Sequence, residues 1–583
     1  MKLTDRLPTR RVTVLAQDPS VLDADGAPLF TEIAVPNDRV APGPQGARFH
    51  VIDYDAALER LIPPNSSPDI DLAAGIAAEP PARRLRRAKK LLADPHFHAQ
   101  NVFAIAAATL REFETALGRH VNWGFESGAH QLKIAPHAFT DLNAFYSRED
   151  EALVFGYYPK TDVSDDYIFT CLSHDIVVHE TTHAILDGLR TEYIRPASVD
   201  QAAFHEAFAD IVAILSVFRN EGIIRVGLGA QDTRTIKAEV FAPSRLRKSF
   251  LFGLAKEFGE TLSRRGFGLL HGDALRRSVE IEPDPEAYAG AFAADEEHAF
   301  GEILVAAVLN TFIHIWCRRV APLDPVSAGR LDQARAVEEG AKAAQHLLGM
   351  CIRALDYLPP ANVTFGDYAR AILTADLETA PDDGQYGYRQ ALCDGFAAYG
   401  IVPAGSTPSD LRWRPPSTPE ALVYGFDGHA EMQWDRESVF RFLWENLEVL
   451  GLSPEGFTRI ISVRPVVRHG PNGAIVRETV VEYMQQINVL SSMLVRYGLK
   501  RPQGMNTRTF IQLVGGGTLI FDDYGSLKYA ISNSVLGKDQ QKRIDSLWES
   551  GHFDNGHRAA RRFADLHVRR STGRGPVARG ESW

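Results

Sequence analysis

The stretch SHDIVVHETTHAILDGLR, from Ser173 to Arg190, sets His179 and His183 four residues apart, with Glu180 directly after the first. On a helix, residues at that spacing lie on one face about one turn apart, so both imidazoles can be directed at a single metal ion. Glu180 projects roughly a quarter turn aside and can reach a water at that ion without being a ligand. In a chain with 19 histidines the spacing alone is a weak signal. Downstream, QAAFHEAFADIVAIL carries Glu206 and Asp210 four apart on an apolar-periodic helix. Glu206 is the candidate third ligand. Asp210 can accept the second ring N–H of a ligating histidine and so fix its tautomer. Asp175, one turn before His179, is placed to anchor the start of the first helix. His205 either contacts His183 or adds a fourth donor.

These residues carry a family resemblance. DIVVHETTHAILDG followed by HEAFADI resembles the thermolysin-like metallopeptidases, which are gluzincins (HExxH…E). Upstream, LNAFY (Leu142 to Tyr146) resembles the edge strand that binds substrate backbone in that family. Downstream, EEHAFGEILVAAV resembles the segment that carries its oxyanion-stabilising histidine, which points to His298. The ordered motifs span roughly residues 96–400.

The resemblance implies an α+β fold of two lobes, β-rich and then helical, around one Zn2+ per chain held by His179, His183 and Glu206. It implies hydrolysis of peptide bonds by metal-activated water, with Glu180 as general base. His298, oriented by Asp295, and Tyr193 would donate to the tetrahedral oxyanion. Asn143 and the backbone of Ala144 would clamp an extended peptide, and Ile176 would line an apolar pocket for the residue after the cleaved bond. The sequence departs from the family in several places. Glu206 follows His183 by 23 positions, a longer connector than thermolysin's. His205 stands where the family often has Asn. Ser216, Val217 and Phe218 occupy the region of a family calcium carboxylate, so calcium is not expected. The competing reading is a catalytically silent binding protein on the same scaffold. Glu180 separates the two, because neither the base nor a ligand has been lost.

The elements that must position these residues follow from patterning. A length of 583 residues implies two or three domains. Residues 1–61 read as short strands, and 62–95 as a linker and a basic helix, ARRLRRAKKLL, whose charge is that of a solvated face. Residues 96–220 read as the catalytic lobe, 221–402 as a helical lobe and 403–435 as a Pro-rich bridge. Residues 436–535 read as an extra small α+β domain with hairpin turns at GPNGA and DDYGS, and 536–583 as a basic, partly disordered tail. The C-terminal domain is expected to fold independently and to recruit a protein partner or restrict access to the cleft.

A net charge of −11 argues against a nucleic-acid binder. Four dispersed cysteines suit a reducing compartment, and no signal peptide or apolar run of about 20 residues is evident. The expectation is a cytoplasmic chain without a membrane partner. His96, His98, His137, His314 and His346 read as packed side chains rather than ligands, and VGGGT (Val514 to Thr518) as strand rather than phosphate loop.

Overall fold

The computed structural model describes residues 9–55, 58–65, 71–141, 143–159, 166–195, 198–229, 234–247, 278–294, 297–323, 329–403, 411–425, 431–470, 473–537, 539–549 and 551–554. The side chains of residues 199, 291–294, 297–299 and 431 lie outside that description. The fold is mixed α+β.

The β-branched N-terminal run forms β1 (Thr9–Leu15), antiparallel to β2 (Phe30–Pro36). Next come β3 (Phe49–Val51) and a short pair, β4 (Tyr54–Asp55) with β5 (Arg60–Leu61). The basic helix α1 (Pro81–Leu92) buries only Ala88 and Leu91. Arg83 and Arg87 pair with Glu79, and Arg84, whose side chain is only 13% exposed, pairs with Asp23 and Asp25.

Helix α2 (Pro95–Leu117) is capped by Asp94, whose side chain accepts from His96 N, and ends at Gly118 in the left-handed region. It runs beneath a sheet built from β3, β6 (Leu132–Phe139), β8 (Ala152–Pro159) and β7 (Ala144–Ser147), in that order, with β9 (Tyr167–Phe169) also pairing β8. Pairings β3–β6 and β6–β8 are parallel, while β7–β8 is antiparallel with Ala144 opposite Phe155 and Tyr146 opposite Leu153. Among the described residues, this order leaves β7 at the edge of the sheet.

Helices α3 (His174–Leu189) and α4 (Val199–Phe218) pack on each other. Then follow α5 (Glu221–Gly227), β10 (Thr235–Lys237), α6 (Pro243–Arg247), α7 (Ala287–Ala294) and α8 (Glu297–Val320). Strand β11 (Arg330–Asp332) pairs back with β10 and leads into α9 (Gln333–Ala354), α10 (Phe365–Thr379) and α11 (Tyr388–Ala398). Contrary to expectation, two segments are long and apolar enough to cross a membrane: Asp200–Phe218 and Phe300–Val320, each 83% buried inside the fold. Both are core helices, and burial on all sides explains their apolar composition.

The C-terminal part contains α12 (Arg436–Glu445) and a four-stranded antiparallel meander of β12 (Phe457–His469), β13 (Ile475–Leu490), β14 (Phe510–Phe521) and β15 (Leu527–Asn533). The expected hairpins are present; the tip of the first, residues 471–472, lies outside the described residues. VGGGT lies within β14. A Cβ at Gly516 would strike the Tyr483 carbonyl oxygen, so close strand approach explains that glycine. Part of the expected tail is instead α13 (Asp539–Glu549), which buries Ile544 and Leu547. Residues 555–583, the Arg- and Gly-rich remainder, lie outside the described residues.

The C-terminal part has two hydrophobic clusters of its own, one around Phe442 and Phe521 and one around Leu494 and Ile544, yet it is also joined to the rest of the chain. Val466, Val480, Ile520, Tyr529 and Ile531 from the meander belong to the main hydrophobic core. Arg468 of β12 is 2% exposed and pairs with Asp356 at 2.6 Å and with Glu478. Arg119 also pairs with Asp356, and Arg190 pairs with Glu482 of β13. Even the Pro-rich bridge is docked where it is described: Leu411 is buried and the Trp413 indole donates to Tyr357 O at 2.9 Å. Charges contributed from both sides of one interface bind the two parts, because neither can withdraw without stranding a buried ion.

Burial alone would raise the Asp356 carboxyl, but Arg119 and Arg468 hold it down to about 2. Its stabilising contribution is therefore complete above the ordinary value of 3.8 and lost as pH falls toward 2. Arg468→Ala is expected to cost about 3–5 kcal/mol in chemical denaturation, since it removes one charged partner from each of two buried carboxylates, Asp356 and Glu478. A chain ending at Val402 is expected to be insoluble. A soluble, cooperatively unfolding truncation would show the meander to be an appendage after all.

Candidate metal centre

Helix α3 begins beside β1: His174 N donates to Gln17 O at 3.1 Å. Asp175 sits in the first turn, 5% exposed, and accepts from Ser173 Oγ at 2.6 Å and Ile176 N at 2.9 Å. It thus anchors the helix start, as its position implied. One turn on, His179 and His183 bring their Nε2 atoms to 2.9 Å from each other. Glu206 of α4 faces both, with Oε2 at 3.8 Å from His179 Nε2 and Oε1 at 3.7 Å from His183 Nε2. Ligand-type atoms of these three residues all lie within 4.8 Å of one another.

The outward-facing ring atoms are also engaged. His179 Nδ1 lies 2.9 Å from Asp210 Oδ1, and His183 Nδ1 lies 2.8 Å from His205 Nδ1. A carboxylate only accepts, so His179 carries its proton on Nδ1 in the neutral form and turns the Nε2 lone pair inward. Of the two roles open to His205, contact with His183 is the one the geometry realises. Burial opposes charge on His179, yet the hydrogen bond and charge of Asp210, with Glu180 and Glu206, push it up to about 9. The cluster therefore holds a proton at neutral pH that a cation would displace. Two imidazole nitrogens and a carboxylate, oriented by a carboxylate and a further imidazole, are a donor set that fits zinc.

Glu180 is 3% exposed, and its Oε2 accepts from Tyr146 N at 3.0 Å. The candidate base thus faces the free edge of β7. Two further contacts fix that edge strand to α3. The Tyr146 hydroxyl donates to Asp187 Oδ2 at 2.8 Å, and Arg148 Nε lies 3.2 Å from the same oxygen. Burial pushes the Asp187 carboxyl up to about 6 against Arg148 and Tyr146, which lower it. Sequence reading missed Asp187 as a positioning residue. Its one signal was its place one turn after His183.

The other expected residues divide. Asn143 and Ala144 stand at the start of β7, both buried, and Asn143 Oδ1 accepts from Ala144 N at 2.8 Å. Leu142 lies outside the described residues. Ile176 packs partly buried against the main core. Tyr193 is corrected: it is 2% exposed, and its hydroxyl donates to Pro359 O at 2.6 Å. The longer connector between α3 and α4 folds this residue into the core, where it packs edge-on against Phe204. His298 lies on α8 with its side chain outside the description, and Asp295 lies outside the described residues.

Replacing His183 or Glu206 with alanine is expected to abolish ion binding at this cluster, since two remaining ligands make an incomplete cage. Asp210→Asn is expected to weaken zinc affinity about 10–100-fold, measured by competition with a chromophoric chelator. Unchanged affinity in His183→Ala would remove His183 from the ligand set.

No known protein family is matched by the chain, and no curated protein matches it.

Proposed function

We propose that this chain is a zinc-dependent peptidase with a thermolysin-like arrangement, in which Glu180 is the general base. One observation carries the reading: Glu180, the residue after His179 of the His179–His183–Glu206 cluster, holds its carboxylate within hydrogen-bond distance of Tyr146 N on the edge strand β7. A base, a three-donor cation cluster and a strand edge are the parts that hydrolysis of an extended peptide needs.

His179, His183 and Glu206 would hold the ion, and the chemistry zinc supplies when bound is Lewis-acid polarisation of the scissile carbonyl and the attacking water. The chain's own residues do the rest. A peptide adds along β7 through backbone hydrogen bonds, which sets its carbonyl beside Glu180. Glu180 takes a proton from water as the new C–O bond forms. It returns that proton to the amine nitrogen as the C–N bond breaks, and so regains its carboxylate. Tyr146 N fixes the carboxylate's orientation, and the Tyr146–Asp187 contact keeps the strand at a set distance from α3. His298 is the proposed oxyanion donor.

Glu180→Gln is expected to retain zinc and lose peptide hydrolysis by at least about 10²-fold, read by mass spectrometry of a peptide library. His298→Ala is expected to lower kcat about 10²–10³-fold with zinc unchanged. Zinc-loaded wild type that cleaves no peptide would identify a silent scaffold. Glu180→Gln with wild-type turnover would remove Glu180 as the base.

A further inference from the structure

A second group of metal-ligand side chains lies apart from the first. His98 of α2, His137 of β6 and Cys171, in the 3-10 turn Thr170–Leu172 just before α3, place ligand-type atoms within 4.8 Å of one another. All three are buried, at 2%, 3% and 0% exposure. Phe169 covers both rings, with centroids 4.5 Å from His98 and 5.4 Å from His137.

The hydrogen-bond partners dictate where the ring protons sit. His98 Nε2 is 2.9 Å from Leu92 O, and a carbonyl only accepts, so Nε2 carries hydrogen. In the neutral ring Nδ1 then presents a lone pair. His137 Nδ1 is 2.8 Å from Asp53 Oδ1, and that carboxylate likewise requires hydrogen on Nδ1. A neutral His137 then presents a lone pair on Nε2. These two lone-pair atoms, His98 Nδ1 and His137 Nε2, lie 2.9 Å apart. Two lone pairs at that distance repel unless a cation, either a proton or a metal, sits between them.

Three features favour a metal. Tetrahedral zinc, with Zn–N at about 2.0–2.1 Å, needs nitrogens roughly 3.3 Å apart, an opening of only a few tenths of an ångström. Each outward N–H is already bonded to a carboxylate or a carbonyl, the arrangement that orients ligating histidines. Asp53 is also 7% exposed, and its Oδ2 has no hydrogen-bond partner. An ionised Asp53 would supply negative charge that offsets part of a divalent ion's.

We propose that His98 Nδ1, His137 Nε2 and Cys171 Sγ form a second, buried site for a thiophilic transition-metal ion of the zinc class, with Asp53 orienting His137. Two nitrogens and one sulfur select such an ion over magnesium or calcium. Loading releases the Cys171 thiol proton, and a divalent ion is then balanced by the thiolate and the Asp53 carboxylate. The site would join α2, β6 and the turn that leads into α3. Its role is therefore structural: it sets where the first ligand helix begins. Asn101 reinforces the same junction by donating to Cys171 O at 3.1 Å.

The test is elemental analysis of full-length protein purified from zinc-supplemented medium. Wild type is expected to hold two ions per chain, His183→Ala one, Cys171→Ser one, and the double variant none. In cobalt(II)-reconstituted protein, His183→Ala is expected to keep a sulfur-to-cobalt charge-transfer band in the near ultraviolet and Cys171→Ser to lose it. Copper in place of zinc in the elemental analysis would keep the site and change the ion. The cobalt spectrum of the unmodified chain decides the matter should Cys171→Ser fail to fold. The proposal is overturned if His183→Ala is metal-free and the cobalt protein lacks that band; the cluster is then a proton-linked Asp–His–His chain. Neither outcome depends on peptide hydrolysis, so the two proposals stand or fall separately.

Discussion

Burying His179, His183, Glu206 and Asp210 between two apolar helices is the constraint on which the rest of the structure depends. An unpaired buried charge costs several kcal/mol, so these groups must face one another at hydrogen-bond distance. That fixes the rotation and depth of α3 against α4. Helix α4 is backed in turn by α8, which approaches closely because Gly301 has no side chain: a Cβ there would lie 3.2 Å from Ala203 O. At the far end of α3, a Cβ on Gly188 would collide with Asn122 O. Small residues thus let neighbouring chain come close enough to hold both helices in place.

The connector between α3 and α4 links this constraint to the C-terminal meander. Arg190 closes α3 and pairs with Glu482 of β13. Tyr193 donates to Pro359 O, and Gln201 Nε2 donates to Glu192 O at 2.9 Å while its Oε1 accepts from Asn362 N at 2.8 Å. Asn362 Nδ2 in turn donates to Val514 O of β14 at 2.7 Å. The meander therefore supports the segment that spaces the two ligand helices. Its role is architectural, and the same buried charges that dock it explain why it shares the main core.

The two candidate metal-binding clusters differ in surroundings. The His179 side chain retains 12% exposure and Glu180 faces a strand edge, whereas His98, His137 and Cys171 are enclosed beneath Phe169. Closed sites suit ions that hold structure, and sites with an accessible side suit chemistry. That contrast is the physical basis for assigning the two proposals different roles.

Local spacing was enough to read the first cluster. His179, Glu180 and His183 lie within one turn of a helix, and Glu206 and Asp210 within one turn of the next, so helical periodicity alone brings each set onto a face. The strands around Thr9–Leu15 and both C-terminal hairpins were legible for the same reason, since alternation and turn chemistry act over a few residues. What the sequence could not determine was contact between distant segments. The spacing of two between His96 and His98 carries no information about the partner of His98, which is His137, 39 residues away on a strand. Arg468 and Asp356, 112 residues apart, join what patterning had separated into two units. Tyr193 had the right chemistry for a donor, but the longer connector turned it toward Pro359. In each case the deciding term was burial. Which polar group must find a partner, and which partner is near, is settled only when the chain has packed.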